Sequence, residues 1–152
     1  MKISLRNILL DLEVIEQIGN LDISICDIVF DSRKVQEGSL FVAQKGTQID
    51  GHNFIESAVK DGAKAIVLEQ MPNELQEGVT YIKVENSAKA LAILARNYYD
   101  NPSSKLKLIG ITGTNGKTTT VTLSYNLFKS LGYECGLIST IVNRIGDREV
   151  VS

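Results

Sequence analysis

This chain of 152 residues is poor in histidine, in cysteine and in net charge, and each scarcity closes off a class of protein. Cys26 and Cys135 lie far apart within apolar runs, outside any C-x-x-C or histidine-bearing metal pattern, which argues against a disulfide-stapled scaffold and a zinc site. They read as reduced core thiols of a cytosolic protein. With Lys and Arg totalling 16 against 18 Asp and Glu, the formal charge is −2 and no basic stripe stands out, so no nucleic-acid partner is expected. The opening Met1-Lys2-Ile3-Ser4-Leu5-Arg6-Asn7 has no apolar leader core, and Asp11, Glu13 and Glu16 interrupt the apolar residues after it. Neither a secretion signal nor a membrane span is expected, and a cytoplasmic location follows. The sole histidine, His52, has no evident carboxylate or nucleophile partner in the sequence; it reads as a loop hydrogen-bonder, not a catalyst. There is no internal repeat and no low-complexity tract.

Apolar segments of strand-like and helix-like period alternate through the first hundred residues, the signature of a layered α/β domain. The pattern predicts a short helix over Leu5–Leu10, strands over Ile23–Phe30, Ser39–Ala43, Ala65–Leu68 and Tyr81–Val84, and a helix over Asn53–Asp61 that Gly62 ends as a left-handed cap. Ser87 is placed to cap a further helix with Ala88, Leu91, Ala92, Ala95 and Tyr99 as its apolar stripe. Tyr98 and Tyr99 read as packing or linker residues. Asn101-Pro102-Ser103-Ser104 is the expected boundary, giving a domain over 1–101, a linker over 102–105 and a second domain from 106 to 152.

The second stretch opens on Lys105-Leu106-Lys107-Leu108-Ile109, which reads as a buried strand, followed by Gly110-Ile111-Thr112-Gly113-Thr114-Asn115-Gly116-Lys117-Thr118-Thr119-Thr120. Gly113 and Gly116 let the backbone turn where a Cβ would clash, so that successive N–H groups converge on phosphate oxygens. Lys117 adds a mobile cation, Thr118 offers a hydroxyl to Mg²⁺, and the helix they open directs its positive end at the same anion. The strict phosphate-loop pattern would have glycine where Ile111 stands, so the match is to a shorter T-G-T-N-G-K-T form. In the helix, Leu123, Leu127 and Leu131 form one stripe and Val121, Tyr125 and Phe128 another, so both sides want burial. Glu134–Ser139 reads as the second strand of a βαβ unit. One strand, one helix and one more strand are too few to close a parallel sheet, and the second domain is expected to be incomplete, with its stripes exposed.

A second series sharpens the reading: Phe30-Asp31-Ser32-Arg33, then Gly38-Ser39-Leu40-Phe41-Val42-Ala43, then Asp50-Gly51-His52-Asn53-Phe54. From the residues alone, Asp31-Ser32-Arg33 fits two readings equally: a capped turn with a structural ion pair, or hydroxyl and backbone donors for a uracil edge or a diphosphate. Taken together with Thr112–Thr120, the series resembles the Mur ligases, which build the peptide stem of bacterial peptidoglycan, and the resemblance covers essentially the whole chain. It implies an N-terminal α/β domain that binds the UDP end of the substrate, followed by the start (strand, phosphate loop, helix, strand) of a parallel-sheet ATP-binding domain. Ile138-Ser139-Thr140-Ile141-Val142-Asn143 looks more like the member that adds the third stem residue than the one that adds D-Ala-D-Ala.

Carried over by position, the resemblance implies that Phe30 and Ser32 contact the uridine end and that Thr47, Gln48 and Ile49 form the loop shaping that pocket. Gly113, Thr114, Asn115, Gly116, Lys117, Thr118 and Thr119 would hold ATP, with Lys117 catalytic and Thr118 on Mg²⁺. The implied reaction is ATP-dependent amide formation through an acyl phosphate, with UDP-N-acetylmuramoyl-dipeptide and a diamino acid as substrates, no membrane partner and a monomeric parent enzyme. The family's glutamate metal ligand, carbamylated lysine and amino-acid-binding domain are not among these residues, so the chain alone is expected to be inactive and to self-associate. Three other readings share parts of the pattern: the D-Ala-D-Ala-adding ligase, a phosphate-loop GTPase or kinase, and a non-catalytic binding module.

Overall fold

Two tetrapeptides set the architecture of the first part of the chain: Ser39–Val42 and Ala65–Leu68 are buried at every position. A strand with no polar face needs cover on both sides, which is the demand of a parallel sheet between helical layers. The computed structural model describes residues 2–46, 49–146 and 148–151. It divides into two units, Met1–Leu106 and Lys107–Ser152.

The first unit runs β1 (Ile3–Ser4), α1 (Leu5–Ile8), β2 (Glu16–Ile18), β3 (Ser24–Ile25), β4 (Asp27–Val29), β5 (Ser39–Val42), α2 (Ile55–Lys60), β6 (Ala65–Leu68), β7 (Thr80–Lys83) and α3 (Ser87–Tyr98). Its main sheet has the order β2-β7-β6-β5-β4. Strands β4 to β7 are mutually parallel, and β2 joins the β7 edge antiparallel. Alternate side chains leave opposite faces. Leu40, Val42, Ala65, Val67 and Ile82 pack with Leu5 and Ile8 of α1 and Ala90, Leu94 and Tyr98 of α3. Phe41, Ile66, Leu68 and Tyr81 pack on the other side with Ile55 and Ala58 of α2. Burying a side chain such as Leu94 in this way contributes about 1.5–3 kcal/mol. The expected α/β class is therefore the observed one.

Several expectations are corrected here. The Ile23–Phe30 run is two strands: β3 pairs with β1 in a separate ribbon, and β4 begins after a break at Cys26. The cap of α3 is Asn86, whose side chain accepts from the Lys89 N–H at 2.9 Å. Ser87 is instead buried, its N–H and hydroxyl both donating to Glu69 Oε1 at 2.8 Å. The buried stripe of α3 is Ser87, Ala90, Leu94 and Tyr98, one register away from the predicted set, and Tyr99 is exposed. The small alanines gave a second apolar stripe, and the larger Leu94 and Tyr98 decided which one faces the sheet. Cys26 and Cys135 are free thiols, half-buried rather than in a core. The predicted helix at 53–61 starts as a 3₁₀ turn, Gly51–Phe54, before α2. Gly62, at φ +102°, ends it as expected.

The second unit consists of α4 (Lys117–Ser130), β8 (Gly136–Ile138), β9 (Val142–Ile145) and β10 (Arg148–Val151). Its strands form an antiparallel sheet of order β10-β9-β8. The predicted βαβ unit is not formed. Residues 106–109 are not a strand, and Leu108 is 73% exposed. A parallel pair needs a crossover and cover on both faces, whereas β8 meets β9 across a short turn at little loop-closure cost. Only Tyr125 and Leu137 are buried among the described residues of this unit. Leu123, Leu127 and Leu131 are 64%, 56% and 62% exposed, as expected for an uncovered stripe.

Candidate functional site

The carboxyl ends of β4 and β5 are where a parallel sheet runs out of ladder and presents loops, the customary ligand position in open α/β sheets. In this chain that position holds an open cleft of about 540 Å³. Phe30, Ser32 and Ile49, all predicted site residues, line it, together with Arg33, Gln44 and Phe54. Phe30 and Ile49 are 62% and 64% exposed, a large apolar surface for side chains that have the option of folding inward. Thr47 and Gln48 lie outside the described residues.

Asp31 and Arg33 shape one wall. The Asp31 carboxylate caps a 3₁₀ turn, Ser32–Lys34, by accepting from the Arg33 N–H at 3.1 Å. It also accepts from the same residue's guanidinium at both oxygens, 2.9 and 2.8 Å. The side-chain hydrogen bonds from Arg33, then its backbone N–H, hold the Asp31 carboxyl down to about 2 from an ordinary 3.8. The capped turn with an ion pair is thus real, and it stands in the cleft wall, so the two readings of this tripeptide are compatible. Ser32 keeps its hydroxyl clear of this network.

Gln44, Gly46, Ile49 and Gly51, of the loop after β5, also line the cleft. The Gly51 N–H donates to Gln44 O at 2.8 Å and the Gly46 N–H to Ile49 O at 3.0 Å, closing the loop on itself. A Cβ on Gly51 would come within 2.7 Å of Gln44 N and O. At the foot of the loop, the Asp50 carboxylate accepts from the His52 N–H at 2.9 Å and lies 2.6 Å from His52 Nδ1. Backbone and side-chain hydrogen bonds from His52 lower the Asp50 pKa. The other ring nitrogen, Nε2, receives the N–H groups of Glu69 and Gln70 at 3.0 and 3.3 Å. His52 is a loop hydrogen-bonder, as expected, but it does have a carboxylate partner, two residues before it. The readable signal was the Asp-Gly-His order itself, since an aspartate two residues ahead of a turn amide is a standard cap.

In the second unit the phosphate-loop residues stand as the start of α4. Gly116 is the N-cap in left-handed conformation, φ 78°, and Gly113 has φ 145°. No side chain caps the helix and its first turn carries no acid. Its first N–H groups are thus left for an anion, which the helix dipole also favours. The Lys117 ammonium donates to Gly113 O at 2.6 Å and Thr114 O at 3.2 Å, folded back on the loop. Among the described residues, no group of three or more His, Cys, Asp or Glu side chains could hold a metal ion.

Fold and site first define a class: an α/β protein with a cleft beyond parallel strand ends and, in a separate unit, a glycine-rich helix start left open to an anion. Residues 24–99 match the family model described as Mur ligase family, catalytic domain, and residues 111–151 the Mur ligase middle domain. The chain belongs to the Mur ligase family. It is 51% identical over 146 residues to a UDP-N-acetylmuramoyl-L-alanyl-D-glutamate–2,6-diaminopimelate ligase of Bacteroides fragilis, covering 96% of this chain and 30% of that protein. A like-named ligase of Cytophaga hutchinsonii is 49% identical over 147 residues, with the same coverages of 96% and 30%. A solved structure of such a ligase shares the fold at TM-score 0.73 and 24% identity, over 97% of this chain and 30% of its own. A MurF ligase from Thermotoga maritima, solved with ADP, is 39% identical with TM-score 0.52, over 68% and 23%. The chain thus spans 30% of the length of the curated relatives it matches. No helix among the described residues is long and apolar enough to cross a membrane.

Proposed function

We propose that the chain is the substrate-binding and nucleotide-binding part of an ATP-dependent ligase that adds a diamino acid, as third stem residue, to UDP-N-acetylmuramoyl-L-alanyl-D-glutamate in the cytoplasm. The observation that carries the reading is the convergence of Phe30, Ser32 and Ile49 on one cleft at the carboxyl ends of β4 and β5. Residues 30, 32 and 49 are separated by turns and a strand, and no packing need gathers two exposed apolar side chains beside a hydroxyl. The 51% and 49% identity to two diaminopimelate ligases, over 96% of this chain, supports this choice over the D-Ala-D-Ala-adding member.

In this reading Phe30 and Ile49 lie against the uracil and ribose, Ser32 donates or accepts at the ring edge, and Thr47 and Gln48 complete the loop. Residues Gly113–Thr119 hold the ATP phosphates on backbone N–H groups and on the Lys117 ammonium, which leaves the loop carbonyls for the phosphates. ATP supplies the phosphoryl group that activates the substrate carboxylate, and Mg²⁺, with Thr118 as a ligand, offsets its charge. Lys117 stabilises the charge that develops on that group during transfer. The 152 residues bind but do not ligate, because no residue here is assigned to hold the incoming amine.

The test is an NMR titration of the chain. UDP-N-acetylmuramoyl-L-alanyl-D-glutamate is expected to shift amides between residues 30 and 54, ATP-Mg²⁺ those between 112 and 120, and the two with a diamino acid to release no phosphate. Absence of any shift between 30 and 54 would sink the assignment of the cleft.

A further inference from the structure

We infer that His52, in the tautomer with its proton on Nδ1, is a positioning residue that locks the cleft loop onto the end of β6. The inference rests on the reading of the cleft as the UDP-substrate site. Four residues of the loop, Gln44, Gly46, Ile49 and Gly51, line the cleft, and His52 does not. It acts on the cleft through them.

The geometry leaves one consistent protonation pattern. Two backbone N–H groups, of Glu69 and Gln70, point at Nε2, which must therefore present a lone pair. The proton then sits on Nδ1, facing the Asp50 carboxylate at 2.6 Å. The His52 side chain is only 14% exposed, whereas its Asp50 partner is 40% exposed, so the ring itself is held inside the fold. Glu69 and Gln70 follow directly on β6, where the ladder ends and their amides need an acceptor. The Glu69 carboxylate is committed elsewhere, accepting from Ser87 at the start of α3. His52 thus joins the loop foot to a strand whose own end is pinned to a helix. Among the described residues, the loop's other backbone closures, Gly51 to Gln44 and Gly46 to Ile49, are internal to it.

The experiment measures Kd by calorimetry on the whole chain for two ligands, UDP-N-acetylmuramoyl-L-alanyl-D-glutamate and ATP-Mg²⁺. His52→Leu keeps bulk and removes the acceptor. It is expected to weaken the UDP ligand on the order of tenfold and leave ATP-Mg²⁺ unchanged, with faster hydrogen exchange at the Glu69 and Gln70 amides. His52→Gln, which restores an acceptor oxygen at similar reach, is expected to recover most of both losses. A bulk-filling role alone would not separate these two variants. Wild-type affinity in His52→Leu, or equal weakening in His52→Gln, overturns the inference while leaving the cleft assignment intact. If wild-type chain fails to bind the UDP ligand at all, the cleft reading fails and the inference with it. Should His52→Leu not fold, Asp50→Asn decides: it removes the charge behind Nδ1 and is expected to weaken the UDP ligand about threefold, and an unchanged Kd overturns the inference.

Discussion

The two units of this chain use similar apolar content to opposite ends. In the first, β5 and β6 are buried throughout and helices cover both faces of the sheet. In the second, a helix with leucines at regular helical spacing leaves all three more than half exposed. Periodicity states what an element would bury if it had a neighbour; only the neighbour makes it a core. Stability in this molecule should therefore be concentrated before Leu106, and ligand contacts in the second unit should be adjustable at little cost to folding.

The strongest way to break that contrast is a pair of truncations. Leu94→Ala in the first unit is expected to cost about 2–5 kcal/mol, and Leu127→Ala in the second less than about 0.5 kcal/mol, by urea denaturation. Equal costs would mean that the second unit is as well packed as the first. Glycines offer a second contrast. Gly51→Ala forces a Cβ to within 2.7 Å of Gln44 backbone and is expected to cost about 3 kcal/mol. Gly116→Ala meets no atom within 4 Å and should cost only the left-handed strain, about 1 kcal/mol.

Binding separates the units further. Lys117→Ala is expected to weaken ATP-Mg²⁺ by about 1–3 kcal/mol and leave the UDP ligand unaffected, in calorimetric titrations. An equal loss for both ligands would mean that Lys117 does not act through the phosphate loop alone. The smallest effect is electrostatic. Asp31 has its folded-state pKa lowered to about 2 from 3.8, so the stability it contributes is present above about pH 4 and lost as pH falls toward 2. Asp31→Asn should lower the melting temperature slightly at pH 7, with the difference fading at pH 2. A constant difference across that range would mean that the turn cap, not the charge, carries the effect.

Much of the site was legible because its residues carry local chemistry. The Gly113 and Gly116 turn and the start of α4 stand where their residue types suggested, whereas Phe30, Ser32 and Ile49, which line one cleft, were singled out by the family resemblance and not by residue type. Leu106, Leu108 and Ile109 were misread as a strand because alternation is satisfied by any exposed extended segment, and nothing in them names a partner. The α3 stripe was misread by one register because alanine fits either side of a helix and votes weakly. Edge strand β2, exposed at all three positions, had no apolar signal to read. His52 was assigned to a loop correctly, and its Asp50 partner was readable two residues ahead, but the amides that donate to its other nitrogen were not, since Glu69 and Gln70 are seventeen and eighteen residues away.

By itself the sequence determined the conformations that depend on a few adjacent bonds: glycines where the backbone turns left-handed, an aspartate ahead of each capped turn, and apolar runs long enough to demand two covered faces. The tertiary structure alone decided the pairings: β8 with β9 rather than with a strand before the phosphate loop, Leu94 rather than Leu91 fully into the core, and a histidine nitrogen under two amides at the end of β6. Local preferences come from sterics within a residue or two and repeat wherever the pattern does. Pairings are won in competition among all segments that reach the same place, and that competition has no signature within any one of them.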